Sequence, residues 1–281
     1  MEVTKDIIHL KESDSHQFSL KLYSHDNNKT QFLMESSPAI INTIRRIILD
    51  ETPTMAPDTM VVHQNTSVMH DEVLAQRIGL IPLAVDPRQF DFPDDQINEQ
   101  NTIVFTLHAK AGDKPLNVYS GDLQYTPIGN QLERIGNVRP LEEKILLLKL
   151  GAQQEIKLEI YCHKGIGKVH SKWSPVSVCF YNMLPIFKYG ETKADWNNRQ
   201  FKVPLQQLSC PMGVYDDLEE IKIDKCTLCR SCLDTGVQIM LDDQHYLFTI
   251  EPVGYLNGLQ IMQEALNVLK IKAHLVVDGL M

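Results

Sequence analysis

The sequence predicts a mixed fold of strands and helices, with one amphipathic helix near each end of the chain. Isoleucines recur at helical spacing within Ser37–Leu49, and apolar residues recur at alternating spacings of three and four after Asn257. Strand-like stretches, separated by proline and glycine, lie between these two helices. The chain of 281 residues is long enough to bury a substantial core.

The first predicted element is a hairpin. His16–His25 alternates enough to form a half-buried strand, and Thr30–Glu35 is its predicted partner strand. The polar residues Asp26, Asn27 and Asn28 favour a turn between the two strands.

The first helix is predicted to span Ser37–Leu49. Ser37 suits the N-cap, and Pro38 suits the first helical position, where a backbone donor would be unused. The apolar stripe consists of Ile40, Ile41, Ile44, Ile47 and Ile48. Arg45 and Arg46 interrupt this stripe, so at least one of them must point away from the apolar face.

The middle of the chain predicts strands and loops. An extended stretch rich in Val, Met and Thr leads to a short second helix at Asp71–Gly79, and the acidic, aperiodic Asp86–Asn101 predicts a surface loop. Further strands are predicted at Thr102–Lys110, Ile145–Leu150, Glu155–Cys162 and Val176–Leu184. The glycines of Gly165–Lys168 lack Walker spacing and indicate a tight turn rather than a phosphate cradle.

The last two elements are a strand at Tyr246–Glu251 and a long helix that starts near Asn257. Asn257 and Gln260 have the spacing of a capping box. A heptad seam comprises Leu259, Met262, Leu266, Leu269, Ala273 and Val276, and a second apolar line comprises Ile261, Ala265, Val268 and Leu275. A helix with two apolar faces is either fully buried in its own chain or covered partly by a partner.

Four of the six cysteines lie close together in the sequence, as Cys210-Pro211 followed by Cys226, Cys229 and Cys232. Triplet spacing with a fourth Cys-Pro is the ferredoxin-type pattern for an iron–sulfur cluster. A zinc site and a site without metal remain the alternatives, since four thiolates also satisfy tetrahedral Zn²⁺. Cys162 and Cys179 are predicted to be buried as small hydrophobic residues.

The composition favours a scaffold protein over a protein that binds nucleic acid directly. Lys and Arg total 27 and Asp and Glu total 36, so the formal net charge is −9, whereas nucleic-acid-binding domains are usually basic. No apolar run approaches the length of a membrane span, and the N-terminus lacks the apolar core of a signal peptide, which predicts an intracellular protein. No zinc-protease, serine-hydrolase or kinase signature occurs, so no catalytic residue is predicted.

Several blocks, in order, resemble the α-like assembly subunits of cellular RNA polymerases. They are N-x-x-R-R at Asn42–Arg46, E-x-P-T-M-A at Glu51–Ala56, Asn65–Leu83, T-P-I-G-N-Q at Thr126–Gln131, V-R-P at Val138–Pro140 and Lys164–Pro175. The resemblance runs from about Gln17 to the C-terminus. It is greatest to the larger α-like subunit shared by eukaryotic RNA polymerases I and III.

The resemblance implies an α+β fold with a nested insertion. A dimerisation domain would comprise residues 1–51 and 236–281, an inserted mostly-β domain residues 52–185, and a ferredoxin-like cysteine domain residues 186–235. The iron–sulfur cluster, 4Fe–4S or 3Fe–4S, would have a structural role in the last of these.

The resemblance also implies partners. The two amphipathic helices would pair with a small α-like subunit, and Arg45 and Arg46 would dock onto a large subunit. The heterodimer would bind the largest and second-largest catalytic subunits in the nucleus, including the nucleolus, for transcription of rRNA, 5S rRNA and tRNA. The chain itself would bind neither a specific nucleic-acid sequence nor a membrane.

Three other assignments remain as alternatives. The first is the subunit specific to polymerase II, which usually carries a cysteine cluster in the loop that corresponds to Asp86–Asn101; this loop contains no cysteine here. The second is an archaeal counterpart, because archaeal members share the ferredoxin-type motif of Cys210, Cys226, Cys229 and Cys232. A stand-alone iron–sulfur electron carrier would explain the cysteines but not the Asn42–Leu83 region or the heptad seam.

Overall fold

The computed structural model of the chain describes residues 8–10, 18–26, 28–200, 210–215 and 221–280. These form two compact units, Met1–Arg45 with Val178–Ile250 and Arg46–Ser177 with Glu251–Met281. Some predicted features lie outside the described residues: the first two residues of the strand His16–His25, Asn27 of the turn, and parts of the predicted dimerisation and cysteine domains. The predicted boundaries of three domains stay a prediction.

Strands account for most of the regular structure. In chain order the elements are β1 (Ile8–Leu10), β2 (Phe18–His25), β3 (Thr30–Glu35), α1 (Pro38–Asp50), β4 (Thr54–Asn65), α2 (Asp71–Gly79), β5 (Thr102–Lys110), β6 (Leu116–Tyr119), β7 (Gln124–Thr126), α3 (Gln131–Ile135), β8 (Leu146–Leu150), β9 (Glu155–Gly165), β10 (Val176–Tyr189), β11 (Thr192–Ala194), β12 (Gln238–Pro252) and α4 (Gly258–Leu280). The expectation of a sheet-rich chain with helices is therefore confirmed.

The first unit is built on a six-stranded sheet in the order β1-β2-β3-β12-β10-β11. β2 and β3 form the predicted antiparallel hairpin, with Leu20 opposite Met34 and an irregularity between Leu22 and Ser24. The side chains of β3 alternate between buried and half-buried, as expected for a strand with one face on the core. The core of this unit includes Leu184, Phe187, Val214, Tyr215, Ile221, Ile223, Val237 and Leu247.

The second unit contains a four-stranded sheet in the order β4-β9-β5-β7 and a separate β6–β8 pair. Its core includes Leu74 and Ile78 from α2, Ile103, Phe105 and Leu107 from β5, and Ile156, Leu158 and Ile160 from β9. The short helix predicted at Asp71–Gly79 and the strand predicted at Thr102–Lys110 have the predicted bounds. Asp86–Asn101 is irregular as predicted, apart from a 3-10 turn at Pro87–Gln89.

The structure extends several predicted strands and adds others. β9 and β10 continue past their predicted ends, and β12 begins eight residues before Tyr246, at Gln238. The added residues of β12, from Gln238 to His245, comprise three consecutive apolar residues and five polar ones, and they lack the alternation that predicts a strand. β6, β7, β11 and α3 were not expected, because elements of three to five residues are too short to show a period.

Candidate functional site

The first candidate surface is α1, whose isoleucines were expected to contact a partner. Ile41, Ile44 and Ile48 are fully buried within the chain itself, and Ile40 is half-buried. The three buried isoleucines therefore belong to the core of the chain. Their predicted role in binding a partner stays a prediction, and their side chains offer no exposed surface for it. A stripe of isoleucines does not reveal which surface covers it, and this is why the sequence could not distinguish the two roles.

The two arginines of α1 have different surroundings. The Asn42 side-chain oxygen accepts hydrogen bonds from Arg45 Nε at 3.1 Å and Nη2 at 2.9 Å. Arg45 is half-buried and lies near Cys179. Burial raises the pKa of the Cys179 thiol to about 12, although the positive charge of Arg45 acts to lower it. Arg46 is exposed. The conspicuous N-x-x-R-R block thus holds one arginine in place and leaves the other available to a partner.

The first half of α4 packs against its own chain. The helix begins with the predicted capping box: Asn257 N donates to Gln260 Oε1 at 3.0 Å, and Gln260 N donates to Asn257 Oδ1 at 2.9 Å. Ile261, Met262 and Ala265 are buried. The remaining predicted seam residues of this half, Leu259, Leu266 and Leu269, are half-buried. Both apolar lines therefore contribute to the core here.

The second half of α4 is exposed on every side from Lys270 to Gly279. It carries the seam residues Ala273 and Val276 and the further apolar residues Ile271, Leu275 and Val277. We call this set the apolar end of α4. Lys272 Nζ contacts the Glu51 carboxylate at 2.6 and 2.9 Å, which ties this part of the helix to the residue that follows α1.

The turn within Lys164–Pro175 fixes the end of α1, and the predicted tight turn is confirmed. A Cβ on Gly167 would clash with the Leu49 carbonyl oxygen, and Lys168 N donates to Asp50 O at 2.7 Å. A Cβ on Gly165 would clash with the Trp173 indole, whose Nε1 donates to His163 O at 3.1 Å. These glycines therefore allow close packing of backbone and indole, not phosphate binding.

The four candidate ligands of a metal lie in one neighbourhood of the first unit. Cys232 is buried, Cys210 and Cys226 are half-buried, and Cys229 is exposed. Leu228 and Arg230, on either side of Cys229, have positive φ values of 57° and 65°. Such left-handed backbone at two non-glycine residues is costly and clusters at functional sites.

Electrostatic interactions link these thiols. Burial raises the pKa of Cys226, the Leu228 backbone N–H lowers it, and Cys232, Cys210 and Cys229 raise it further. Hydrogen bonds from the Ser231 side chain and backbone lower the pKa of Cys229. These hydrogen-bond effects favour the thiolate, which is the form of cysteine that binds a metal. Among the described residues, no three His, Cys, Asp or Glu side chains converge closely enough to hold a metal ion.

The cysteine segment also has more core than its polar sequence indicated. Val214, Tyr215, Ile221 and Ile223 are buried in the same cluster as Leu184 and Phe187 of β10, and Cys210 and Cys226 pack against that cluster. Tyr215, whose pKa is raised by burial and by a hydrogen bond with Cys232, lies beside three of the four thiols. A metal is therefore not the sole source of stability for this segment.

The described helices include none that is long and apolar enough to cross a membrane. The sequence placed Gly129 and Gln131 in the T-P-I-G-N-Q block without showing their role: together with Glu99 they hold the base of the Asp86–Asn101 loop. Contact with Glu99 had no sequence signal, because the two segments are about 30 residues apart in the chain.

Comparison with known proteins shows similarity to RNA polymerase subunits along almost the whole chain. Residues 59–186 match the RNA polymerase Rpb3/RpoA insert domain. The chain is 33% identical to DNA-directed RNA polymerases I and III subunit rpac1 of Dictyostelium discoideum, over 94% of this chain and 82% of that protein. It is 32% identical to subunit RPAC1 of Saccharomyces cerevisiae, over 91% and 85% respectively. It is 28% identical to subunit Rpo3 of the archaeon Methanosphaera stadtmanae, over 92% and 97%.

Proposed function

The chain belongs to the α-like subunit family of cellular RNA polymerases, and on that premise we propose that it is the larger α-like subunit shared by RNA polymerases I and III. It is a non-catalytic assembly subunit, and in this role it is a nuclear protein. The observation that carries the proposal is the similarity to the shared subunits of polymerases I and III along almost the whole chain. The proposed setting includes the nucleolus, and the proposed products are rRNA, 5S rRNA and tRNA.

We propose that the apolar end of α4 pairs with a small α-like subunit. Four of its five residues are large and apolar and remain exposed in the isolated chain, which is unusual for a surface that stays in water. The heptad seam continues into this end through Ala273 and Val276. A partner helix that follows the same spacing would cover it by coiled-coil-like packing.

The proposed contact with the largest and second-largest subunits uses Arg46 rather than Arg45. Arg46 is exposed, whereas the Nε and Nη2 groups of Arg45 already bind Asn42. A free guanidinium can bind a carboxylate or backbone carbonyls in a fixed geometry. Arg45 would then support the position of the helix surface without contacting the partner.

The cysteine segment is proposed to hold an iron–sulfur cluster, with zinc or no metal as the alternatives. The ligands would be Cys210, Cys226, Cys229 and Cys232, whose spacing and Cys-Pro element match the ferredoxin-type pattern. Their side chains would have to move closer together on binding, because no three of the described His, Cys, Asp or Glu groups converge on a metal position in the isolated chain. Such a cluster would crosslink the segment covalently. Its role would be local, since the segment packs on β10 through its own apolar residues.

The alternatives carry less support. The archaeal Rpo3 relatives are 27 to 30% identical to this chain, and the eukaryotic polymerase I and III subunits 31 to 33%. The match covers 97% of one archaeal relative. A stand-alone electron carrier is set aside, because family membership accounts for residues well outside the cysteine segment.

An affinity purification of the chain from its own cells tests this proposal. We expect mass spectrometry to identify the largest subunits of both polymerase I and polymerase III, together with one small α-like subunit. Recovery of polymerase II subunits alone would transfer the assignment to the sister subunit. Recovery of no polymerase subunit would contradict the proposed function.

A further inference from the structure

The loop Asp86–Asn101 carries an exposed tip, Asp91–Asn98, whose residues all face solvent. Two of them are large and apolar: Phe92 is 53% exposed and Ile97 is 60% exposed. Asp94 and Asp95 form no ion pair with any described residue of the chain. The tip thus combines apolar surface with unpaired negative charge.

One buried side chain holds the base of this loop. Gln131, the last residue of the T-P-I-G-N-Q block, is fully buried and uses all four of its hydrogen-bonding positions. Its Nε2 donates to Glu99 O at 2.9 Å and Thr102 O at 2.6 Å, and its Oε1 accepts from Ile128 N at 3.0 Å and Tyr125 Oη at 3.1 Å. A fully satisfied buried amide of this kind fixes the backbone around it.

The neighbouring residues of the same block strengthen this attachment. Asn130 N donates to Glu99 Oε2 at 2.9 Å, and Arg134 Nη2 donates to Glu99 O at 2.6 Å. Gly129 has a φ of 56°, and a Cβ there would clash with the Glu99 carboxylate. Glycine adopts this left-handed backbone without strain and leaves the Glu99 carboxylate in place.

The other arm of the loop is held as well. Phe90 is buried, with the Arg134 guanidinium 5.2 Å from its ring centre, and its carbonyl oxygen accepts from Lys164 Nζ at 2.7 Å. The Lys164 ammonium also lies 5.2 Å from the centre of the Phe92 ring. Asp91 N donates to Gln100 O at 2.9 Å and so closes the loop across its two arms. Two blocks that are distant in sequence therefore fix one exposed tip.

We propose that this tip is a docking surface for a basic protein that has an apolar pocket bordered by Lys or Arg. The pocket would receive Phe92 and Ile97, and the basic border would pair with Asp94 and Asp95. Charge complementarity selects this occupant, because the same carboxylates would repel the phosphates of a nucleic acid or of an anionic membrane. The rigid base reduces the entropy that an exposed loop would lose on binding.

Site-specific photo-crosslinking within the assembled complex tests the proposal. A photoreactive phenylalanine derivative replaces Ile97, and the same derivative replaces Val169, an exposed apolar residue on another turn, as a control. We expect crosslinks from position 97 to one identified protein, through a peptide that contains several Lys or Arg residues. Position 169 should give no crosslink to that peptide.

Charge reversal makes the test decisive. The pair Asp94→Arg/Asp95→Arg should lower crosslinking from position 97 about tenfold, and reversing the basic residues of the mapped peptide should restore it. The control pair Glu72→Arg/Glu191→Arg lies on exposed positions outside the loop and its base and should leave crosslinking unchanged. Crosslinks without a basic peptide, or crosslinks that tolerate the Asp94/Asp95 reversal, would overturn the proposal. Because the crosslinking is done in a complex already shown to contain the polymerase subunits, either result bears on the tip and leaves the proposed function unaffected.

Discussion

The substitution Val276→Asp tests whether the apolar end of α4 binds the small α-like partner. Val276 is 62% exposed in the isolated chain, so the substitution leaves the chain's own core intact. Full burial of a valine side chain contributes about 1.5 to 2 kcal/mol, so coverage of the exposed part would contribute about 1 kcal/mol. Burial of an unpaired carboxylate at the interface adds at least about 2 kcal/mol of cost. The total of about 3 kcal/mol corresponds to a dissociation constant raised by roughly 100-fold.

The assay measures the dissociation constant between the chain and the co-expressed small α-like subunit by analytical ultracentrifugation. Asn267→Asp is the matched control, since Asn267 is an exposed residue of the same helix and the substitution also adds one negative charge. Circular dichroism verifies that α4 remains helical in both variants. If Val276→Asp binds as tightly as the unchanged chain while it remains folded, the assignment of this surface is refuted.

Four further predictions concern the chain itself. Ile44→Asp should prevent soluble expression with or without the partner, because its side chain is fully buried in the chain; normal solubility would contradict that core role. Gly167→Ala should lower the free energy of unfolding by about 2 kcal/mol, since the new methyl clashes with the Leu49 carbonyl; denaturant titration measures this loss. Gln131→Leu should lower it by about 3 kcal/mol, because buried donors and acceptors around it lose their partners; the same titration applies. Cys229→Ser should lower iron content in anaerobically purified protein, while the melting temperature of the whole chain changes little because the segment keeps its own apolar core on β10.

Matched controls separate these effects from general damage. Gly112→Ala introduces the same methyl group where nothing lies within 4 Å, so it should leave stability unchanged. Cys179→Ser tests whether iron loss is specific to the cysteine segment, since Cys179 is buried and separate from the four candidate ligands. Equal iron loss in both variants would remove the support for the proposed ligand set.

Much of the local structure was predictable from the sequence, because local patterns determine it. The bounds of β3, α2 and β5 and the capping box at Asn257 agree with their predictions. The first half of β12 was not predicted, because three apolar residues followed by four polar ones show no alternation, and its strand conformation depends on neighbouring strands that are distant in the sequence. The proposed cluster ligands were recognisable from their spacing alone, and their role stays a prediction.

The sequence by itself determined the family of this protein, its main helices and strands, and the candidate residues for a metal, since motif order and periodicity are properties of the chain. Only the tertiary structure decided which apolar surfaces the chain covers. It buries Ile41, Ile44 and Ile48 of α1 and leaves the apolar end of α4 exposed, although both sets have helical periodicity. It also decided that Gln131 and Gly129 hold the acidic loop. The physical reason is that periodicity shows that a face is apolar, whereas burial depends on which distant segment packs against it.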